Sequence, residues 1–164
     1  MKQPVQDAVN EQIKHELESA YVYLSMSAHF EAENLPGFAR WMRLQAQEEL
    51  GHAMRLFDYM NDRGGRVVLH AVEQPPTSFD SILSVFEQAL AHEQKVTALI
   101  ERLYETAQSN RDYATQVQLN WFLTEQVEEE NSAELIVEQL RMAGNDRAAL
   151  LMMDNKLGGR STAE

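Results

Sequence analysis

Gln45-Ala46-Gln47-Glu48-Glu49-Leu50-Gly51-His52 is the stretch on which the reading of this chain turns. On a helix, Gln45, Glu49 and His52 fall on one face, and that face runs on through Phe38 and Met42 before them and Leu56 and Tyr59 after them. A stripe apolar at both ends and ionisable in the middle is not an ordinary core stripe. Glu49-x-x-His52 alone is a common chance pattern, so its weight depends on what the rest of the chain repeats.

Three other stripes carry a carboxylate at mid-length. Val9, Ile13, Glu16, Ala20, Tyr23, Ser27 and Phe30 share one helical face, as do Phe86, Leu90, Glu93, Thr97, Ile100 and Tyr104. Leu119, Phe122, Gln126, Glu129, Ala133, Ile136 and Leu140 make the fourth. Glu16 precedes Glu49 by 33 residues and Glu93 precedes Gln126 by 33, with His52 and Glu129 three positions further on. A constant offset of 77 maps one set onto the other and also superimposes His15 on His92 and Glu48 on Glu125. This is the mark of a duplicated helical hairpin, retained where chemistry needs it.

Glycine and proline punctuate the chain at Pro4, Pro36-Gly37, Gly64-Gly65, Pro75-Pro76, Gly144 and Gly158-Gly159, leaving long helix-forming runs at residues 5–33 and 37–63. Residues 77–143 would span about 100 Å as one helix, so a break is expected at Gln108-Ser109-Asn110-Arg111-Asp112. Ser78 is the expected cap of the third helix, with Asp80 in its first turn; Gly144 ends the fourth, and Asp146 opens a short fifth that reaches Leu157. Residues 66–76 must then cross the length of the molecule. The expected fold is all-α: a four-helix bundle with one long crossover and a short fifth C-terminal helix, in one domain over residues 1–164.

Charge and composition narrow the function. Asp and Glu number 26 against 14 Lys and Arg, a net charge of -12, which opposes nucleic acid and anionic membrane as partners and attracts cations. With no cysteine, thiolate metal sites, iron–sulfur clusters, disulfides and Cys nucleophiles are all excluded, leaving His and carboxylates for any metal chemistry. Met1-Lys2-Gln3-Pro4 leads into a polar stretch with no apolar signal core, and no later run is long enough to span a bilayer, so a soluble cytoplasmic protein is expected.

A bundle brings Glu16, Glu49, His52, Glu93, Gln126 and Glu129 to one level. Burying a carboxylate costs several kcal/mol unless it is protonated, paired or metal-bound, and no Lys or Arg occupies the centre of any stripe. Four carboxylates match the charge of two divalent cations, while His52 adds a nitrogen donor and Gln126 a neutral oxygen. A carboxylate-rich set with one imidazole suits iron or manganese better than copper or zinc.

These residues resemble those of the ferritin family in its non-haem bacterial form, over nearly the whole chain. The resemblance implies that Glu16, Glu49 and His52 hold one iron, that Glu49 bridges to a second held also by Glu93 and Glu129, and that Gln126 stands close by. It implies a third cluster from Glu48, Glu125 and Glu128, with Glu129 shared, and aromatic residues beside the centre at Tyr23 and Trp121. Haem-binding relatives repeat the full E-x-x-H in their second half and place Met after the first bridging Glu; here Leu50 follows Glu49 and the second half reads Gln126-Val127-Glu128-Glu129. No haem is expected.

The activity so implied is iron storage with ferroxidase chemistry. Two Fe2+ bind per subunit, O2 or H2O2 serves as oxidant, and Fe3+ leaves as a mineral precursor, with a third iron site on the way. A di-metal oxidase or oxygenase acting on a small organic substrate is the alternative, though the chain has little length to spare for a substrate pocket. Ala148-Ala149-Leu150-Leu151-Met152-Met153 is apolar around its circumference and Val67–Val72 is apolar too, so contacts between identical subunits are expected. The resemblance implies a hollow homo-oligomer of 24 subunits.

Overall fold

The computed structural model describes residues 1–161. Its elements are α1 (Gln3–Ala32), α2 (Pro36–Asp62), α3 (Ile82–Ser109), α4 (Tyr113–Ala143) and α5 (Arg147–Gly158), with no strand among the described residues. α1 pairs with α2 and α3 with α4 through three-residue turns, while residues 63–81 form the long crossover that joins the hairpins. Among the described residues no helix is long and apolar enough to cross a membrane.

Local chemistry sets the helix ends. Pro4 and Pro36 sit in the first turns of α1 and α2, where a missing N–H costs nothing. Asp112 caps α4 by accepting from Thr115 N at 3.1 Å and is gripped by both Arg63 guanidinium nitrogens at 3.0 and 3.2 Å, which ties that turn to the end of α2. The cap of α3 is Ser81 rather than Ser78: Ser81 and Ser84 bond each other's backbone N–H reciprocally. Phe79, just before the cap, instead packs edge-on against His29 at 5.1 Å.

α5 docks on the start of α2. Asp154, buried, accepts from Phe38 N at 2.8 Å and so caps α2 from a distant part of the chain. The approach is possible only because Gly37 lacks a side chain, since a Cβ there would lie 1.7 Å from the Asp154 carbonyl oxygen. Met153 and Leu157 are buried by this docking, while Leu151 and Met152 remain exposed.

The crossover does not wave free. Asn10 of α1 donates to Arg66 O at 3.1 Å and accepts from Val68 N at 3.0 Å, and Val67 packs into the core. Val68 and Leu69 stay exposed.

The four expected core stripes meet the structure unequally. Every residue expected inward on α1 and α4 is buried, and on α2 all but Tyr59, whose neighbour Met60 takes the inward place. On α3 the stripe is rotated: Leu90, Thr97 and Tyr104 are only half-buried, whereas Ala89, Val96 and Leu103 are buried. Phe86, Glu93 and Ile100 lie on both stripes, so the carboxylate keeps its inward place. The core forms two apolar clusters, one around Phe30, Phe38, Met42 and Phe86 and the other around Val9, Ile13, Leu56 and Ile100. The central carboxylates lie between them.

Candidate metal centre

Glu16, Glu49, His52, Glu93, Gln126 and Glu129 are all buried, at most 7% exposed. Each of the four long helices contributes at least one of them, as the stripes predicted. The two hairpins furnish them differently.

From α1 and α2 come Glu16, Glu49 and His52, whose ligand atoms all lie within 4.8 Å of one another. His52 Nδ1 is 3.3 Å from Glu49 Oε2 and 3.9 Å from Glu16 Oε2. Gln12 Nε2 donates to Glu16 Oε1 at 2.8 Å. Glu16 Oε2 and both oxygens of Glu49 are buried with no hydrogen-bond partner among the described residues. Unsatisfied carboxylate oxygens in the middle of a core are strongly unfavourable as anions, and the donor set of two carboxylates and an imidazole fits a divalent cation.

From α3 and α4 come carboxylates that already have partners. Tyr23 OH donates to Glu93 Oε1, and Gln126 Nε2 donates to Glu93 Oε2 at 3.1 Å. Gln126 Nε2 also lies 3.3 Å from Thr97 Oγ1, which donates in turn to Glu130 Oε1 at 2.5 Å. Gln45 Nε2 donates to Glu129 Oε2 at 2.8 Å.

Electrostatics agrees with this geometry. Burial, helped by repulsion from Glu49, pushes Glu16 up to about 8 from 4.5; burial and repulsion from Glu93 push Glu129 up to about 7. Burial raises Glu49 well above the carboxylate range, reinforced by Glu93 and Glu129, and raises Glu93 against the opposing hydrogen bonds from Tyr23 and Gln126. A metal-free centre therefore holds protons at neutral pH that a cation would displace.

Tyr23 is fully buried against Glu93 and lies edge-on to Trp41 at 6.5 Å. Trp121 is half-buried, edge-on to His52 at 5.4 Å, with the Arg55 guanidinium stacked 4.0 Å over its ring. Of the outer cluster, Glu125 converges with His52 and Glu129 within 4.8 Å, Glu128 is exposed, and Glu48 is held by Arg160 at 2.6 Å. Stripe spacing does not single out Gln12, Thr97 as a partner of Gln126, or Arg160. Gln12 lies four residues before Glu16, and that helical-neighbour relation is a signal that could have found it; Arg160 comes after the last helix and has no periodicity to place it.

Comparison with known proteins matches residues 6–143 to the ferritin-like domain. A bacterial non-haem ferritin of Bacteroides fragilis is 42% identical over 160 residues, covering 98% of this chain and 99% of its own. One from Staphylococcus aureus is 40% identical over 158 residues, with 96% and 95% covered. Among solved structures, an engineered closed form of the Archaeoglobus fulgidus ferritin superposes with a TM-score of 0.98 at 49% identity, covering 99% of both chains. The open-pore ferritin of that archaeon gives 0.97 at 49% identity, covering 98% of this chain and 99% of its own.

Proposed function

The chain belongs to the ferritin family, and from that premise we propose that it is a ferroxidase that stores iron: it binds two Fe2+ per subunit, oxidises them and holds the ferric product inside a homo-oligomeric shell. The observation that carries this reading is the set of partnerless buried oxygens on Glu16 and Glu49 beside His52. Iron is substrate, not a resident cofactor, and haem has no part in the scheme.

Glu16, Glu49 and His52 take the first Fe2+, and Glu49, Glu93 and Glu129 take the second. Glu49 has both oxygens free, which suits a carboxylate that must serve two ions. Gln126 replaces a second bridging carboxylate with a neutral amide, so the second ion is held more loosely and can leave once oxidised. Each Fe2+ gives one electron to O2, whose two-electron reduction consumes two protons; H2O2 can take the same role as oxidant. Protons displaced from Glu16 and Glu129 on metal entry supply part of that demand. Tyr23, bonded to Glu93, and Trp121, packed on His52, act beside the reacting pair. Glu48, Glu125 and Glu128 offer a third ion a place between the centre and the mineral.

The proposed assembly is a cage of 24 subunits in the cytoplasm. Exposed Leu151 and Met152 on α5 favour burial between subunits, as does an apolar groove on the outer face of α1 and α2 formed by Leu17, Tyr21, Leu24, Leu50 and Val72.

Metal analysis of the purified protein, followed by oxygen consumption on addition of Fe2+, tests the chemistry. Iron retained in quantity and O2 consumed in proportion to Fe2+ are expected; a protein that binds two ions yet consumes O2 only with an organic substrate overturns ferroxidase activity. Light scattering on a size-exclusion column tests the shell. Removing residues 146–164 should weaken assembly while sparing oxidation, and a full-length protein that stays a monomer or dimer leaves ferroxidase activity without storage.

A further inference from the structure

Two residues past the end of α5, Arg160 reaches back across α2 toward the centre. One guanidinium nitrogen donates to Gln45 Oε1, the other donates to Glu48 Oε2 at 2.6 Å, and the group lies 5.0 Å over the Trp41 ring. Gln45 is 1% exposed, and its other amide atom, Nε2, donates to Glu129 Oε2. An amide turned the other way would face the guanidinium with its own N–H groups and the carboxylate with its oxygen. Both contacts would then be repulsive, so Arg160 fixes the orientation of Gln45 and through it one oxygen of Glu129.

The same guanidinium occupies the carboxylate that the outer cluster needs. His52, Glu125 and Glu129 converge closely enough to share an ion, while Glu48, on the same helix as His52, is engaged with Arg160. An arginine paired with a carboxylate supplies the charge that a bound cation would otherwise supply. The Arg160 and Glu48 side chains are each about a quarter exposed (24% and 25%), so water can reach the pair and a competing ion can displace it.

We propose that Arg160 is a built-in counter-ion for the third cation position, a C-terminal plug that pairs with Glu48 and positions Gln45 and Glu129 until a divalent ion competes it away. This rests on the two-metal reading of the inner site. It makes Arg160 a positioning residue: the first two ions bind with the plug in place, and the third binds only as the plug withdraws.

Calorimetric titration of the metal-free, assembled, full-length protein with Zn2+, which is redox-inert, reads the stoichiometry without reference to turnover. Wild type is expected to take a first ion tightly, a second more loosely and a third most weakly. In Arg160→Ala the third should tighten by roughly fivefold, the size expected for release of a partly exposed pair, while the first, held by Glu16, Glu49 and His52, stays unchanged and the second, which shares Glu129, weakens at most a few-fold. Arg160→Lys keeps a charge on Glu48 and should stay within about twofold of wild type. Third-ion affinities equal in wild type and Arg160→Ala overturn the plug while leaving the inner site intact; so does Arg160→Lys behaving as Arg160→Ala. Weakening of all three ions in Arg160→Ala assigns the arginine to tail packing alone and also overturns it. A wild type that fails to bind the first two ions overturns the two-metal reading itself, and the plug with it.

Discussion

The two helical hairpins use one spacing to opposite ends. In α1–α2, Glu16 and Glu49 present three oxygens with no partner and a histidine beside them. In α3–α4, Glu93 accepts from Tyr23 and Gln126, and Glu129 accepts from Gln45. The first hairpin is an open set of donor atoms that could hold a cation. The second already has its hydrogen bonds, and a metal entering there must exchange them for coordination. On the proposed reading the repeated frame carries a strong site joined to a weak one, a division that suits a metal meant to be captured, oxidised and passed on.

The largest test of this asymmetry sets Glu49 against its counterpart Gln126. Glu49→Ala removes the only ligand proposed to serve both ions and should slow the fast phase of Fe2+ oxidation more than about 100-fold, whereas Gln126→Ala should cost about tenfold or less. Stopped-flow absorbance resolves the two. Equal losses would mean that the hairpins are functionally equivalent.

A second test uses protons. Glu16 is pushed up to about 8 in the fold against 4.5 for an ordinary carboxyl, so between those pH values the folded chain keeps a proton that the unfolded chain has already lost. Its stabilising contribution is full below about 4.5 and is lost as pH rises through about 8; Glu129 acts likewise through about 7. The metal-free protein should therefore melt at lower temperature at pH 8.5 than at pH 5.5. Glu16→Gln should flatten that slope and stabilise the alkaline form by about 1–3 kcal/mol. A divalent ion reverses the trend, because it binds the deprotonated carboxylates. Calorimetry at both pH values, with and without Zn2+, checks the sign; an unchanged slope in Glu16→Gln would show that its proton is not the one being lost.

The asymmetry can also be erased. Gln126→Glu would give the second hairpin the carboxylate that the 77-residue offset leads one to expect opposite Glu49. It removes the amide donor to Glu93 and adds a buried charge, so the metal-free protein should lose roughly 1–3 kcal/mol. The metal-loaded protein should hold its second ion more firmly, so that iron is retained at the centre and later rounds of oxidation slow several-fold while the first is preserved. Iron content after desalting reads this directly.

How far the sequence reaches depends on where the information lies. Spacing is local and periodic, so the six central residues are legible from the stripes and the 33- and 77-residue offsets, and the four helices and the crossover from the stripes and the glycines and prolines between them. The phase of α3 is not: Leu90, Thr97 and Tyr104 share a face with Glu93 as well as Ala89, Val96 and Leu103 do. The fold turns Ala89, Val96 and Leu103 inward and leaves Leu90, Thr97 and Tyr104 half-buried. Among Ser78, Asp80 and Ser81, composition cannot choose a cap, because the deciding contacts are the reciprocal bonds to Ser84 and the packing of Phe79 on His29. The Asp154 bond to α2 and the Arg160 bonds to Gln45 and Glu48 join positions more than a hundred residues apart, and no periodicity carries that information.

The smallest expected effect is also the finest division within the second hairpin. Glu128 and Glu129 are neighbours about 100° apart on α4; Glu129 is buried and bonded to Gln45, and Glu128 is exposed. Glu129→Ala should therefore impair the first oxidation step along with the second ion, whereas Glu128→Ala should leave that step within about twofold and change only the later turnovers. Its influence acts through a partly hydrated outer position, where a carboxylate contributes little to affinity. The consequence to measure is the iron-to-oxygen ratio over successive additions of Fe2+, together with the rate of the first. If Glu128→Ala lost the fast phase as Glu129→Ala does, the two carboxylates would belong to one site, and the separation between an inner pair and an outer third ion would collapse.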